Sequence, residues 1–261
     1  MNHSFDAFMG QFVFDPKKAG LVGVERESLI RDKATGSILP IPPAVLETIW
    51  RERPDLKPRI KPELSRCQLE ETTDPIRFDA VAKSLRETSA VVRTALAHVG
   101  CEPQYSGVGP KGMPLDVYPE PRYIRIAQTR PRAQLAAACR SIGIHFHIGM
   151  PDADTALRAY NFVVKSLHVL RHRADRTDGE RLKLYRTMVP EPEPIVFETW
   201  HDHYRHALEH GYAGSIRDNW MLVRMSRYGT IEIRLFDGCD AEDEIERLAK
   251  ECRALRRTFF D

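Results

Sequence analysis

Three stretches of this chain set apolar side chains against chemically specific polar ones, and that pattern restricts the fold more than any other feature. Residues two apart on an extended strand share a face and stand roughly 7 Å from each other. Ile144-His145-Phe146-His147-Ile148 is apolar on one face and carries two imidazoles on the other. Thr230-Ile231-Glu232-Ile233-Arg234-Leu235 repeats the arrangement, with Ile231, Ile233 and Leu235 opposite Glu232 and Arg234. Val22-Gly23-Val24-Glu25-Arg26-Glu27 sets Glu25 beside Glu27, although Arg26 interrupts the second face. A fourth stretch, Cys67-Gln68-Leu69-Glu70-Glu71, offers Gln68 and Glu70 as face-mates.

A polar face that simply meets water is the ordinary explanation for one such strand. The residue types argue against it here. Two glutamates at that separation repel by about 2 kcal/mol at an effective dielectric near 20, a penalty that Lys, Thr or Ser would avoid. A bound divalent cation reverses the sign. Carboxylates suit Mg²⁺ beside phosphates, and an imidazole is taken more readily by Mn²⁺. Arg234, next to Glu232, would then face a transferred phosphoryl group.

The remaining elements follow from periodicity. Leu21 to Ile30 and Ser65 to Thr72 read as strands, and Phe78 to Val99 as a helix that Gly100 stops. Pro40, Pro42 and Pro43 read as a connection leading into an irregular basic segment from Arg51 to Lys61. Pro131 opens a short helix through Cys139, Asp152 caps the next helix, and Asp240 caps the last. Trp220 to Phe236 reads as a hairpin turning at Arg227-Tyr228-Gly229.

Composition narrows the function classes. With 42% hydrophobic and 29% charged residues, 261 residues can bury a sizeable core. One unit over residues 1–261 is the simplest organisation, since no repeat or low-complexity linker divides it. A net charge of +2 gives no nucleic-acid or membrane footprint. Small anions are the expected partners. Cys67, Cys101, Cys139, Cys239 and Cys252 are scattered singly, which excludes a disulfide framework and a zinc knuckle. The start Met1-Asn2-His3-Ser4 lacks the basic-then-apolar pattern of a secretory leader, so the expectation is cytoplasmic.

Four segments, in order and at the right spacing, resemble the glutamate–cysteine ligase family 2 proteins, the carboxylate–amine ligases. Gly23-Val24-Glu25-Arg26-Glu27 is similar to their G-V-E-x-E opening. Leu69 to Pro75 resembles V-E-x-x-T-x-P, and Gly143 to Gly149 resembles G-x-H-V-H-V-G. Trp220 to Asp237 resembles W-x-x-R…G-T-x-E-x-R-x-x-D. The resemblance implies an α+β, glutamine-synthetase-like fold, a curved antiparallel sheet forming a funnel with helices behind it. It also implies ATP, Mg²⁺ or Mn²⁺, and amino-acid and amine substrates joined through an acyl phosphate. By position, Glu27 and Glu70 would hold one metal, and Glu25, His145 and Glu232 the other. His147 would lie near the nucleotide, Arg234 at the γ-phosphate, and Arg224 would be a second anion contact. The sequence departs from the family at Thr177-Asp178-Gly179, where a D-T-G-x-x-S-x-R-like segment is usual, which leaves the substrate open. A phosphotransferase on the same fold and a non-catalytic nucleotide- or amino-acid-binding regulator are the alternatives, and a homo-oligomer is left open.

Two further groups carry weaker signals. His203, His206 and His210 share a helical face that suits either a metal patch or, more simply, solvated histidines. Arg122, Arg125, Arg130 and Arg132 suit anion binding or a solvated basic loop.

Overall fold

The computed structural model describes residues 4–189 and 191–254. Met1 to His3 and residues 255–261 of the expected unit lie outside the described residues. The strands are β1 (Val22–Asp32), β2 (Ile60–Pro62), β3 (Gln68–Thr72), β4 (Cys101–Gln104), β5 (Gly143–Gly149), β6 (Val223–Met225) and β7 (Thr230–Asp237). They form an open antiparallel sheet in the order β2-β3-β1-β5-β7-β6, with β4 also paired to β1. The helices are α1 (Phe5–Met9), α2 (Pro43–Glu52), α3 (Val81–Ala97), α4 (Pro121–Thr129), α5 (Arg132–Arg140), α6 (Ala153–Lys165), α7 (Leu167–Ala174), α8 (Glu180–Met188), α9 (Trp200–Glu209) and α10 (Glu242–Ala254).

The apolar strand faces form the main core. Val22, Val24, Ile144, Phe146, Ile148, Ile231 and Ile233 are buried in one cluster with Val81 and Leu85 of α3, Tyr160 of α6 and Ile245 of α10. Each such side chain contributes about 1.5–3 kcal/mol on full burial. Local signals set the ends of the flanking helices. The Asp152 carboxylate accepts from the Thr155 amide at 2.7 Å at the start of α6, and Gly100, at φ 73°, ends the turn after α3 where a side chain would be strained.

Arg26 resolves its apparent conflict on the apolar face by bringing its own partners. It is fully buried and pairs at 3.0 Å with Glu71, its cross-strand neighbour, and at 3.2 Å with Glu242 of α10. Tyr105 donates to Glu71 at 2.6 Å and lies under the Arg26 guanidinium at 4.3 Å. Ser89 of α3 also bonds Arg26. Both terminal nitrogens of the guanidinium thus meet carboxylates, as a buried ion requires, while Nε is buried without a hydrogen-bond partner.

Three expectations are corrected. The Pro-rich connection opens a helix, because Pro43 falls in the first turn of α2, where its missing N–H is not needed. Asp240 lies two residues before α10, and its carboxylate pairs with Arg93. Strict alternation fails in β7. Ile144 pairs with Phe236 and Phe146 with Ile233, so Arg234 and Leu235 together oppose His145 in a β-bulge. Phe236 takes over the apolar face there, with its ring 5.0 Å from that of Phe146. All five cysteines are buried and unbridged. Among the described residues no helix is long and apolar enough to cross a membrane.

Candidate functional site

The polar strand faces line a cavity of about 560 Å³. In an antiparallel pair, directly opposed residues share a face, so register alone composes the floor. One row runs Arg224–Glu232–His147 across β6, β7 and β5. His145 opposes Glu25 in the next row, and the last row runs Glu27–Glu70–Lys61 across β1, β3 and β2. All eight residues singled out from the sequence, namely Glu25, Glu27, Glu70, His145, His147, Arg224, Glu232 and Arg234, line this cavity.

Glu25, His147 and Glu232 present ligand atoms within 4.8 Å of one another, the one such group among the described residues. His147 Nε2 is 3.3 Å from Glu25 and 3.9 Å from Glu232, too long for a bond to the latter. That nitrogen is buried without a hydrogen-bond partner, while Nδ1 is fixed by Thr230 Oγ1 at 3.1 Å. A ring anchored through one nitrogen and presenting the other between two carboxylates has the build of a metal-binding histidine. The chemistry of the set fits a divalent cation. His145, expected among these ligands, bonds Glu25 through Nδ1 at 3.0 Å. His147, expected near the nucleotide, is the imidazole that opposes Glu232.

Charge is divided unevenly over the floor. Burial raises the Glu232 carboxyl, but Arg224, His147 and Arg234 outweigh it and hold the group ionised far below the usual range. Arg224 donates to it at 2.6 Å, and Arg234 bonds its other oxygen. Burial likewise raises Glu25, and the two histidines, His147 foremost, bring it well below its ordinary value. His145 moves the other way, lowered to about 4 by burial and by Arg234. Glu27 is pushed up to about 8 by burial and by Glu63, and Glu70 is raised by burial and by Glu25. One half of the floor thus holds fixed charges, and the other holds acids with too few counter-charges.

Sequence reasoning missed Lys61, Glu63, Arg181 and Tyr185, all of which line the cavity. Arg181 is 2% exposed and donates to the carbonyls of Leu235 and Arg234. Its signal was Gly143, where an added Cβ would overlap the Arg181 guanidinium. Tyr185 accepts from Arg234 Nε at 3.1 Å. Of the four arginines weighed for anion binding, Arg122 lines the cavity, while Arg130 lies over the Trp220 ring at 4.6 Å. Of the three histidines weighed as a metal patch or a solvated face, His203 and His206 are buried and His210 is exposed. His203 is enclosed by aromatic rings, and His206 bonds the Tyr212 hydroxyl at 2.7 Å and stacks on His210.

The model of glutamate–cysteine ligase family 2 matches residues 21–174, more than half of the chain. This chain belongs to that family. A relative from Gloeobacter violaceus, named "Putative glutamate--cysteine ligase 2", is 30% identical over 265 residues, spanning 94% of this chain and 70% of its own length. Among solved structures, a bifunctional glutathione synthetase from Pasteurella multocida aligns with a TM-score of 0.61 at 18% identity, covering 95% of this chain and 39% of that one. Plasmodium falciparum glutamine synthetase aligns at 0.52 and 12%, covering 92% and 52%. These likenesses carry the fold, an antiparallel sheet with helices that this chain shares with both. β7 lies beyond the residues matched by the family model, and its pairing with β5 is what brings Glu232 to His147.

Proposed function

We propose that the chain acts as one catalytic unit, an ATP-dependent carboxylate–amine ligase that forms an amide, of γ-glutamyl type, through an acyl phosphate. The observation that carries this reading is the convergence of Glu25, His147 and Glu232, with Arg224 and Arg234 bonded to Glu232, on the floor of one cavity. Glu25, His147 and Glu232 would hold Mg²⁺ or Mn²⁺, which when bound neutralises phosphoryl oxygens of the nucleotide.

The rest falls to the chain's own side chains. A substrate carboxylate oxygen attacks the γ-phosphorus of ATP, the bond to the bridging oxygen breaks, and ADP leaves. A neutral amine then attacks the acyl carbon and inorganic phosphate departs, with the amine proton lost to water. Arg234 and Arg224 offer fixed guanidinium charge beside Glu232, where a phosphoryl group gains negative charge during transfer. Tyr185 and Glu232 hold the Arg234 fork in place. The walls contributed by α4, α5 and α8 shield the activated acyl carbon from water.

The test is phosphate release from ATP and Mg²⁺ across a panel of amino acids and amines, with the product identified by mass. The expected product is an amide formed one-for-one with ADP, abolished in Glu232→Gln, and accompanied in the wild type by a rise in melting temperature with Mg²⁺-ATP that the variant lacks. A phosphorylated product with no amide would replace this reading with phosphotransfer, and no ATP turnover with any pair would overturn it.

A further inference from the structure

We propose that Lys61 is a displaceable plug on the second cation position: a second divalent ion enters between Glu27 and Glu70 only by pushing the Lys61 ammonium off Glu70. The inference rests on the metal-dependent reading above.

The geometry comes from two registers. β1 pairs Glu27 with Glu70, and β2 pairs Lys61 with Glu70, so all three side chains stand in one row on the cavity floor. Lys61 Nζ lies 2.9 Å from Glu70 Oε1. At the other end of the row, Glu27 is tied by the Gly143 amide at 2.7 Å, which leaves it little freedom to turn away. Glu63 lines the same cavity and adds a third carboxyl to this part of its wall. An ammonium and a divalent ion within about 4 Å of each other repel strongly, so the two cannot share Glu70.

The residue type suits a movable role. Lysine is a compact charge on a flexible stem, without the planar fork that locks arginine onto a carboxylate. Its side chain here is 42% exposed, with open space into which to swing. Arg26–Glu71, the neighbouring pair on the opposite sheet face, is fully buried and has no such freedom. At the first position, formed by Glu25, His147 and Glu232, the neighbouring cations are Arg224 and Arg234, which bond Glu232 alone and are themselves held, Arg224 by the Asn219 carbonyl and Arg234 by the Tyr185 hydroxyl. The two positions therefore differ in kind, one flanked by fixed cations and the other by a movable one.

The test counts Mn²⁺ bound to the full chain by electron paramagnetic resonance, without nucleotide. The wild type is expected to bind one ion in the concentration range where Lys61→Met binds two, with the second ion bound about tenfold or more tightly than in the wild type. Lys61→Arg, which keeps the charge, should bind the second ion as weakly as the wild type, and Glu70→Gln added to Lys61→Met should remove it. A Lys61→Met protein that binds the second ion no better, or a wild type that binds two ions equally, overturns the proposal. Glu25→Gln separates the two readings. If it leaves the first ion in place, the metal site itself is wrong; if it removes that ion while Lys61→Met has no effect, the plug alone falls.

Discussion

Acidification should expose the cost of burying His203. Its ring is packed against Phe8, Phe197, Trp200 and Tyr212, is 1% exposed, and leaves Nδ1 without a hydrogen-bond partner. Burial first, and the nearby His206 second, lower its pKa to about 3, against about 6.5 in an unfolded chain. The unfolded state therefore takes the proton first. The corresponding stability is complete above about pH 6.5 and is lost as the pH falls toward about 3. At pH 5 the unfolded imidazole is about 1.5 units below its pKa while the folded one is still neutral, a loss of about 2 kcal/mol at about 1.4 kcal/mol per unit. For a chain of this size that lowers the melting temperature by about 4–8 °C. Urea unfolding at pH 8 and pH 5 of the wild type and His203→Phe measures it directly. Phenylalanine fills similar space in an aromatic box and cannot be protonated, so the variant should lose about 2 kcal/mol less than the wild type between the two pH values. His145 also titrates low but is present in both proteins, and it cancels in the difference. Equal losses in the two proteins would refute the idea that a neutral, buried His203 carries this pH dependence.

Two other perturbations probe the frame. Arg26→Met strands Glu71 in the core and should cost about 3–5 kcal/mol, whereas adding Glu71→Gln should recover at least half of it in urea unfolding; a single variant as stable as the wild type would contradict the buried pairing. Gly149→Ala drives a methyl group into the Lys18 carbonyl oxygen at the end of β5 and should cost about 1–3 kcal/mol, with weakened Mn²⁺ binding as β5 shifts under His147; an unchanged melting temperature would show that this contact yields freely.

The strands that carry the floor were legible because β5 and β7 each bury an apolar face, and β1 does so apart from Arg26, so a one-residue slip would have exposed it. Glu25, Glu27, Glu70, His145, His147, Glu232 and Arg234 follow from that alternation, whereas Arg224, on β6, was singled out through the family resemblance. What it could not supply is which residues meet across strands. His145 and His147 are equivalent in sequence, and only the pairing of β5 with β7 tells them apart. Lys61 lies on a strand of three residues, too short for a period, and Arg181 reaches the floor from α8 through space left by a glycine. Pro43 was misread because a proline marks a helix start as readily as a break. His203 was weighed as a metal ligand or a solvated residue because a histidine on a polar-looking helix gives no sign of the rings that enclose it.

The bulge at Arg234 and Leu235 lets β7 carry one more residue than β5 has places for. Phe236 and Asp237 therefore sit on the faces that strict alternation from Ile233 would have exchanged, Phe236 against Phe146 and Asp237 toward the Arg176 amide and Thr177 hydroxyl that it holds. A change of one residue in the length of this strand has to be absorbed at that bulge, so insertions and deletions away from it should be more damaging than most substitutions.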